Sequence, residues 1–355
     1  MATQSYFENV IKYVNNQSDF FTGQWGLFEE PFRNSFNNDI EKGHLEWLKA
    51  VAIYHINERT GSQYWIDKAK REGITEDKIV SANNIKDLIN LLGDSDLELL
   101  KNEKGYSEFY KPKGFNISEL FKSSSSGTTG HPKTVYHSLQ ALIVSAINEY
   151  TGISAQYNIE ELKGKKLLAT GPLGAYQQEH KTLAQLLEME YVDNGFETAG
   201  LKLLPREEVQ KRIGSVFAKM HKYLSEGLGL MTSTIETIEN LPIKLLRNTK
   251  VIKASGTRID SNAIIKLRAQ SIFVIPMYGH YAGKSSIGFL EGENIVYYPS
   301  YPVTQYLLEG KGRAREKLIV AQPELLLIND EDYVNPYLSN SVFHPIRGVA
   351  NPARS

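Results

Sequence analysis

Cysteine is absent from all 355 residues, which excludes a disulfide framework, a thiolate metal site and a cysteine nucleophile. Long apolar runs are also missing: nothing approaches the roughly 20 consecutive apolar residues of a membrane-spanning helix. The opening Met1-Ala2-Thr3-Gln4, followed by Asn15, Asn16, Gln17 and Asp19, lacks the basic start and unbroken apolar core of a signal peptide. These absences predict a soluble, cytoplasmic protein. There is no excess of either charge, with Lys plus Arg at 40 against Asp plus Glu at 41. Nor is there a basic cluster interleaved with aromatics to follow a phosphate backbone, so nucleic acid is not expected as a partner. The eight histidines lack the His-x-x-x-His spacing that puts two ligands on one helical face. His44-Leu45-Glu46 has no downstream cysteines to complete a zinc site, and no protein-built metal site is expected.

What is present suits a globular chain, with 41% hydrophobic and 23% charged residues, enough for one large domain or two modest ones. Residues 1–117 read as a mainly helical segment, with amphipathic periods such as Phe7, Ile11, Val14 and Leu45, Leu48, Val51, Ala52. Asn84 before Ile85, Leu88 and Ile89 marks a helix start. Trp25, Trp47 and Trp65 fall in this segment, and their large apolar area is expected in the core. From residue 118 to 355 the texture changes to short apolar runs alternating with helical periods, the pattern of a layered α/β core. The runs are Leu167-Leu168-Ala169, Lys250-Val251-Ile252, Phe273-Val274-Ile275, Ile295-Val296-Tyr297-Tyr298, Leu318-Ile319-Val320 and Leu325-Leu326-Leu327-Ile328. Helices are expected over 139–150, 182–189, 207–224 and 261–268. Glu291-Gly292-Glu293-Asn294 reads as a hairpin turn, which makes the sheet mixed.

The densest chemical signal is Ser123-Ser124-Ser125-Ser126-Gly127-Thr128-Thr129-Gly130-His131-Pro132-Lys133-Thr134. Hydroxyls and a glycine-rich backbone able to expose several N–H groups together suit a polyanion, and Lys133 adds a cation. The helix expected from Ser138 would aim its positive end at the same region. A flexible linker has no use for so fixed an order. The stretch Gly279-His280-Tyr281-Ala282-Gly283-Lys284-Ser285 has three residues between its glycines, one fewer than the Gly-x-x-x-x-Gly-Lys-[Ser/Thr] phosphate loop, so that spacing fails.

Ser125-Ser126-Gly127-Thr128-Thr129-Gly130-His131-Pro132-Lys133 resembles the phosphate-binding signature of the adenylate-forming superfamily, which includes acyl-CoA synthetases, nonribosomal-peptide adenylation domains and luciferases. The helical stretch before it is most similar to phenylacetate-CoA ligases and the acyl-protein synthetases of bioluminescence. The resemblance spans roughly residues 82–332. It implies an α/β, layered mixed-sheet core of the adenylate-forming N-terminal-domain type. Gly171-Pro172-Leu173-Gly174-Ala175-Tyr176, with His180 beyond, is similar to the turn that lines the acyl pocket. Ala254-Ser255-Gly256-Thr257-Arg258 resembles the small-residue turn under adenine, where small side chains let the base approach. Pro276-Met277-Tyr278-Gly279-His280 resembles the Tyr-Gly turn whose ring packs on adenine. Asp330 or Asp332, just past the last apolar run, stands where the family holds the ribose hydroxyls.

The implied chemistry is attack of a carboxylate on the α-phosphate of ATP, then transfer of the acyl group from AMP to coenzyme A or to the pantetheine thiol of an acyl carrier protein. Thr128, Thr129 and Lys133 would stabilise phosphate charge. A homodimer is compatible with this. Two departures stand out. The family's Tyr-Gly turn continues to a glutamate that helps hold Mg2+, whereas this chain has Ala282, leaving the ion mainly to phosphate oxygens and water. The two dozen residues after Asp332 leave no room for the usual C-terminal lid domain with its lysine, so none is expected. These departures keep open a second reading, a catalytically reduced nucleotide-binding subunit or chaperone-like partner of a biosynthetic complex, beside that of an active ligase.

Overall fold

The computed structural model describes residues 5–37, 39–125, 131–194, 204–255, 259–308, 314–337, 341–343 and 345–353, with the backbone alone for 284, 308, 314–316, 330–337 and 353. The helical segment comprises α1 (Tyr6–Asn16), α2 (Glu29–Ser35), α3 (Ile40–Ile56), α4 (Gln63–Glu72), α5 (Glu76–Ser81), α6 (Ile85–Leu92) and the short α7 (Glu103–Gly105). Local chemistry sets their ends. Ser5 and Glu8 form a reciprocal capping box on α1, Asp39 caps α3, Thr75 caps α5, and Asn84 caps α6 as its sequence indicates. Gly73 ends α4 with φ at 64°, a left-handed conformation that costs glycine little.

The core strands are β1 (Phe121–Ser124), β2 (Thr134–His137), β3 (Lys166–Ala169), β4 (Glu190–Asp193), β5 (Leu228–Thr234), β6 (Thr249–Ser255), β7 (Val274–His280), β8 (Lys284–Glu291), β9 (Asn294–Tyr298), β10 (Thr304–Leu308), β11 (Ala314–Gln322), β12 (Leu325–Tyr337) and β13 (Gly348–Ala353). β1 and β2 form a separate antiparallel hairpin, and the other eleven make one sheet in the order β10-β11-β12-β13-β9-β8-β7-β6-β5-β3-β4. The neighbours from β4 through β7 run parallel, and those from β7 through β10 run antiparallel. The sheet is therefore mixed, as the hairpin at Gly292 implies. All six apolar runs named from sequence fall in strands, apart from Phe273, which lies just before β7. β1, β2, β4, β5, β10 and β13 carry too little apolar contrast to stand out.

Helices α8 (Leu139–Gln156), α9 (Ala175–Leu186), α10 (Arg206–Glu226), α11 (Ile235–Glu239), α12 (Ile243–Leu246) and α13 (Ser261–Ala269) cover the parallel half. Alternate strand residues serve its two faces. Val251 and Ile275 join the cluster containing α8 and α9, while Ile252 and Val274 join that containing α10 to α13. Among the described residues no helix is long and apolar enough to cross a membrane.

The tryptophans do more than fill space. Buried indole N–H groups need acceptors, and each finds one on the α/β part. Trp25 Nε1 donates to Ser138 Oγ at 3.0 Å, Trp47 Nε1 to the Ala321 carbonyl at 2.9 Å, and Trp65 Nε1 to the Leu326 carbonyl at 2.9 Å. The helical segment is thus docked on β11 and β12 by packing and by directed bonds. Trp47→Ala should lower unfolding free energy by about 3–5 kcal/mol. Trp47→Phe should cost about 1–3 kcal/mol through the Ala321 carbonyl left without its donor. Urea denaturation followed by circular dichroism checks both, and equal stability of Trp47→Phe and wild type would count against the bond.

Candidate active site

In an open parallel sheet, ligands bind beyond the carboxyl ends of the strands. Here β3 runs out to Thr170 and Gly171, β6 to Ser255 and β7 to His280. The hairpin β1–β2 stands against this edge. Gly174, at φ 83°, makes the approach possible: a Cβ there would lie 2.4 Å from the Lys122 carbonyl oxygen of β1. The serine- and threonine-rich loop leaves and re-enters the hairpin through a closed neck. Ser125 N–H donates to the Lys133 carbonyl at 2.9 Å, Lys133 N–H donates to Ser125 Oγ at 2.8 Å, and the Ser124 and Thr134 hydroxyls share a bond of 3.1 Å. Ser126, Gly127, Thr128, Thr129 and Gly130 lie outside the described residues.

The start of α8 departs from expectation. Its positive end does not await a phosphate, because the buried Glu324 carboxylate already occupies it. One carboxylate oxygen accepts from Ser138 N–H and from Ser138 Oγ, both at 2.7 Å, while Ser138 Oγ accepts from Ala141 N–H. Burial raises the Glu324 pKa, opposed by the Ser138 bonds that favour its charged form.

At the strand ends, β6 and β7 pair through Ala254 and Pro276, which sets Ser255 and Tyr278 on adjacent chain ends. Ser255 Oγ donates to the Ser233 carbonyl at 3.4 Å. Gly256 and Thr257 lie outside the described residues. Tyr278 is half-buried, its ring 5.6 Å from that of Tyr297 and 6.3 Å from that of Tyr306, and Gly279 is exposed. Beyond it His280 Nδ1 accepts from the N–H groups of Ala282 at 3.2 Å and Gly283 at 3.3 Å, which puts the ring proton on Nε2.

The structure also places Ala282, Asp330 and Asp332. Ala282 is fully buried in an apolar cluster with Val135, Leu318 and Val320. Asp330 and Asp332 lie on β12, which continues through both beyond the last apolar run, and Asp330 pairs with Lys317. Among the described residues no three histidine, aspartate or glutamate side chains gather to hold a metal ion.

His180 occupies a buried polar group that sequence reasoning did not assemble. Its Nδ1 is 2.8 Å from the Tyr176 carbonyl, and its Nε2 is 2.9 Å from Lys253 Nζ. A carbonyl only accepts and an ammonium only donates, so the ring is neutral with its proton on Nδ1. Burial lowers the pKa well below the ordinary histidine value, and the Lys253 charge adds to this. Lys253 also bonds to the carboxylate of Glu149, which lies 4.0 Å from His180 Nε2 through Oε2. The Tyr176 ring lies 4.1 Å from that of His180 between centroids, and its hydroxyl bonds to Thr232. Gly171 leaves room for that ring, because a Cβ there would stand 2.3 Å from it. The signals for the missed pair were a lysine inside Val251-Ile252-Lys253-Ala254 and a glutamate inside the largely apolar α8.

No protein-family profile matches the chain, and no curated protein matches it in sequence. Solved structures do. A 2-hydroxyisobutyryl-CoA ligase, in the postadenylation state with R3-HIB-AMP, is similar at TM-score 0.63 and 13% identity over 89% of this chain and 67% of that one. The NpsA N-terminal subdomain of Klebsiella oxytoca with 3-hydroxybenzoyl-AMSN gives TM-score 0.39 and 10% identity over 69% and 66% of the two chains. E. coli MenE with bound OSB-AMS gives 0.37 and 13% over 68% and 50%. The first of these establishes the fold; the other two agree too loosely to add to it. This chain spans about two thirds of the length of the first two and half that of the third.

Glu324→Ala should cost about 1–3 kcal/mol by stripping Ser138 of its acceptor. The wild-type carboxyl has a raised folded pKa, so its contribution to stability is present below its ordinary value of 4.5 and is lost as pH rises through the folded value. Glu324→Gln has no such proton. The stability of wild type minus that of Glu324→Gln should fall with rising pH above 4.5, as read by urea titrations at a series of pH values. A flat difference would refute the raised pKa. Ala282→Glu should destabilise the protein by about 3–5 kcal/mol, as an unpaired charge among apolar side chains does; a thermal melt unchanged from wild type would show that the side chain turns outward.

Proposed function

Starting from the fold of the adenylate-forming enzymes, which this chain has, we propose that it uses ATP to convert a carboxylic acid into an acyl adenylate. The observation that supports this reading is the closed Ser125–Lys133 neck of the β1–β2 hairpin, whose β1 approaches the turn after β3 at Gly174. Thr128, Thr129, Lys133 and backbone N–H groups of Ser126, Gly127 and Gly130 would hold the phosphates, since charge-assisted donors aimed at an anion are the strong ones. Tyr278 would pack on adenine beside Ser255, Gly256, Thr257 and Gly279, and Asp330 or Asp332 would take the ribose. The acid's carboxylate oxygen forms a bond to the α-phosphorus as the bond to pyrophosphate breaks. The loop residues stabilise the charge that leaves. Mg2+ would be held by phosphate oxygens and water, and no step is assigned to it.

The acyl acceptor in this reading is a thiol, either coenzyme A or the pantetheine of an acyl carrier protein, with AMP leaving as the thioester forms. The buried Ala282, in place of the family's glutamate, favours a second reading: a nucleotide-binding subunit or chaperone-like partner with reduced turnover. Acid-dependent exchange of pyrophosphate into ATP separates the two. Exchange with some carboxylic acid supports the ligase, and nucleotide binding without exchange for any acid or carrier protein supports the subunit.

The double variant Thr128→Ala, Lys133→Ala should weaken ATP binding by about tenfold or more, about 1.4 kcal/mol, with its circular dichroism unchanged. ATP affinity equal to wild type in the folded variant removes the loop from the site. Tyr278→Ala should weaken ATP binding about three- to tenfold, by loss of stacking worth about 0.5–1.5 kcal/mol. Isothermal titration with ATP reads both, and a nucleotide complex with the base away from Tyr278 would overturn its role.

A further inference from the structure

We infer that Glu149, Lys253 and His180 form the inner wall of the acyl site and select a carboxylic acid that carries a neutral hydroxyl group. The inference rests on the reading of the chain as an adenylate-forming core. The three residues come from the elements that carry the site: α8 follows the hairpin of the phosphate loop, α9 follows the turn after β3, and Lys253 lies two residues before Ser255 on β6.

The hydrogen-bond inventory of the group is incomplete in a specific way. Glu149 is completely buried, yet its Oε1 has no hydrogen-bond partner among the described residues. Leaving a buried charged oxygen unpaired costs more than leaving a neutral one. Lys253 Nζ has three hydrogens and bonds to two partners, the Glu149 carboxylate and His180 Nε2. An ion-paired carboxylate only accepts, and an ammonium only donates. A guest beside them must therefore donate to Glu149 Oε1 and is best placed if it also accepts from Lys253. A hydroxyl does both. An ammonium on the acid could donate to Glu149 Oε1 but not accept from Lys253, and a second carboxylate could accept from Lys253 but not donate to Glu149, so the pair favours a hydroxyl over either.

The wall also has a door. Tyr176 is partly exposed, whereas Glu149, His180, Lys253 and Thr232 are buried. Its ring lies against His180, and its hydroxyl is held by Thr232 on β5, at the strand-end edge where the adenylate would sit. Tyr176 is the member of the group nearest solvent, so a guest reaching Glu149 from that edge passes this side chain. His180, neutral and fixed by the Tyr176 carbonyl and Lys253, keeps the ammonium in register without adding a charge.

Acyl sulfamoyl adenosines, which mimic acyl adenylates and need no turnover, test this on the full chain by isothermal titration. The probes are butanoyl with its 2-, 3- and 4-hydroxy, 3-amino and 3-carboxy forms, and benzoyl with its three hydroxy forms; AMP is titrated alongside. At least one hydroxy probe should bind wild type about tenfold or more tightly than its parent, the size expected of a hydrogen bond to a charged group. Amino and carboxy probes should bind no better than the parent. Glu149→Gln and Lys253→Met should each abolish the preference while AMP affinity stays within about twofold of wild type. Glu149→Asp, which keeps the charge but withdraws the oxygen, should reduce it. Equal binding of every hydroxy probe and its parent to wild type overturns the inference, as does a preference that survives in folded Glu149→Gln. AMP binding without hydroxyl preference refutes the inference and spares the adenylate reading; binding of neither AMP nor any sulfamate refutes both.

Discussion

A carboxylate can be buried only where donors meet it, and Glu324 is buried where three parts of the chain converge. It sits in the turn between β11 and β12, accepts from the backbone and hydroxyl of Ser138 at the start of α8, and through that hydroxyl is linked to the Trp25 indole of the helical segment. Removing any member would leave a polar atom unpaired in a dry place, at a cost comparable with a sizeable share of a domain's net stability. The arrangement fixes where α8 begins, and so where β2 and the loop before it must end. It also sets a carboxyl group at the positive end of α8.

Around this junction the two halves of the sheet do different work. The antiparallel half serves as the platform on which Trp47 and Trp65 of the helical segment dock. The parallel half brings three chain ends to one edge, because strands joined by crossover helices all point the same way. His137 ties the two together, with Nδ1 2.9 Å from Gln322 Oε1 at the end of β11 and Nε2 3.2 Å from the Tyr281 carbonyl after β7. The loop hairpin and the Tyr278 turn are therefore held by one imidazole. Beneath the same edge the Glu149–Lys253 pair binds α8 to β6. Its charges cost several kcal/mol each to bury; Lys253 is answered by Glu149 and by the unprotonated His180 nitrogen, and Glu149 by Lys253.

Local signals in the chain were sufficient for much of this. The helix starts at Asn84 and Ser138, the turn at Gly292 and the six apolar runs are short-range features, and periodicity and turn chemistry read short-range features directly. The fixed order of hydroxyls, glycines and a lysine from Ser125 to Lys133 pointed to phosphate chemistry and to the fold before any strand was placed. What sequence by itself could not determine was whatever depends on residues distant along the chain. Glu149 and Lys253 are 104 positions apart, and each alone reads as an ordinary charged residue; only the packing of α8 across β6 makes them a pair. Glu324 is 186 positions from Ser138, so nothing near Ser138 announced that its helix end was taken. Ala282 has the spacing of a metal-holding position, but the turn after β7 rotates it into the apolar cluster of β11 and β12, a choice made by burial free energy. Spacing along the chain determined which local elements form and which motif stands out, while the tertiary structure decided which groups face one another, because desolvation and pairing depend on distance in space.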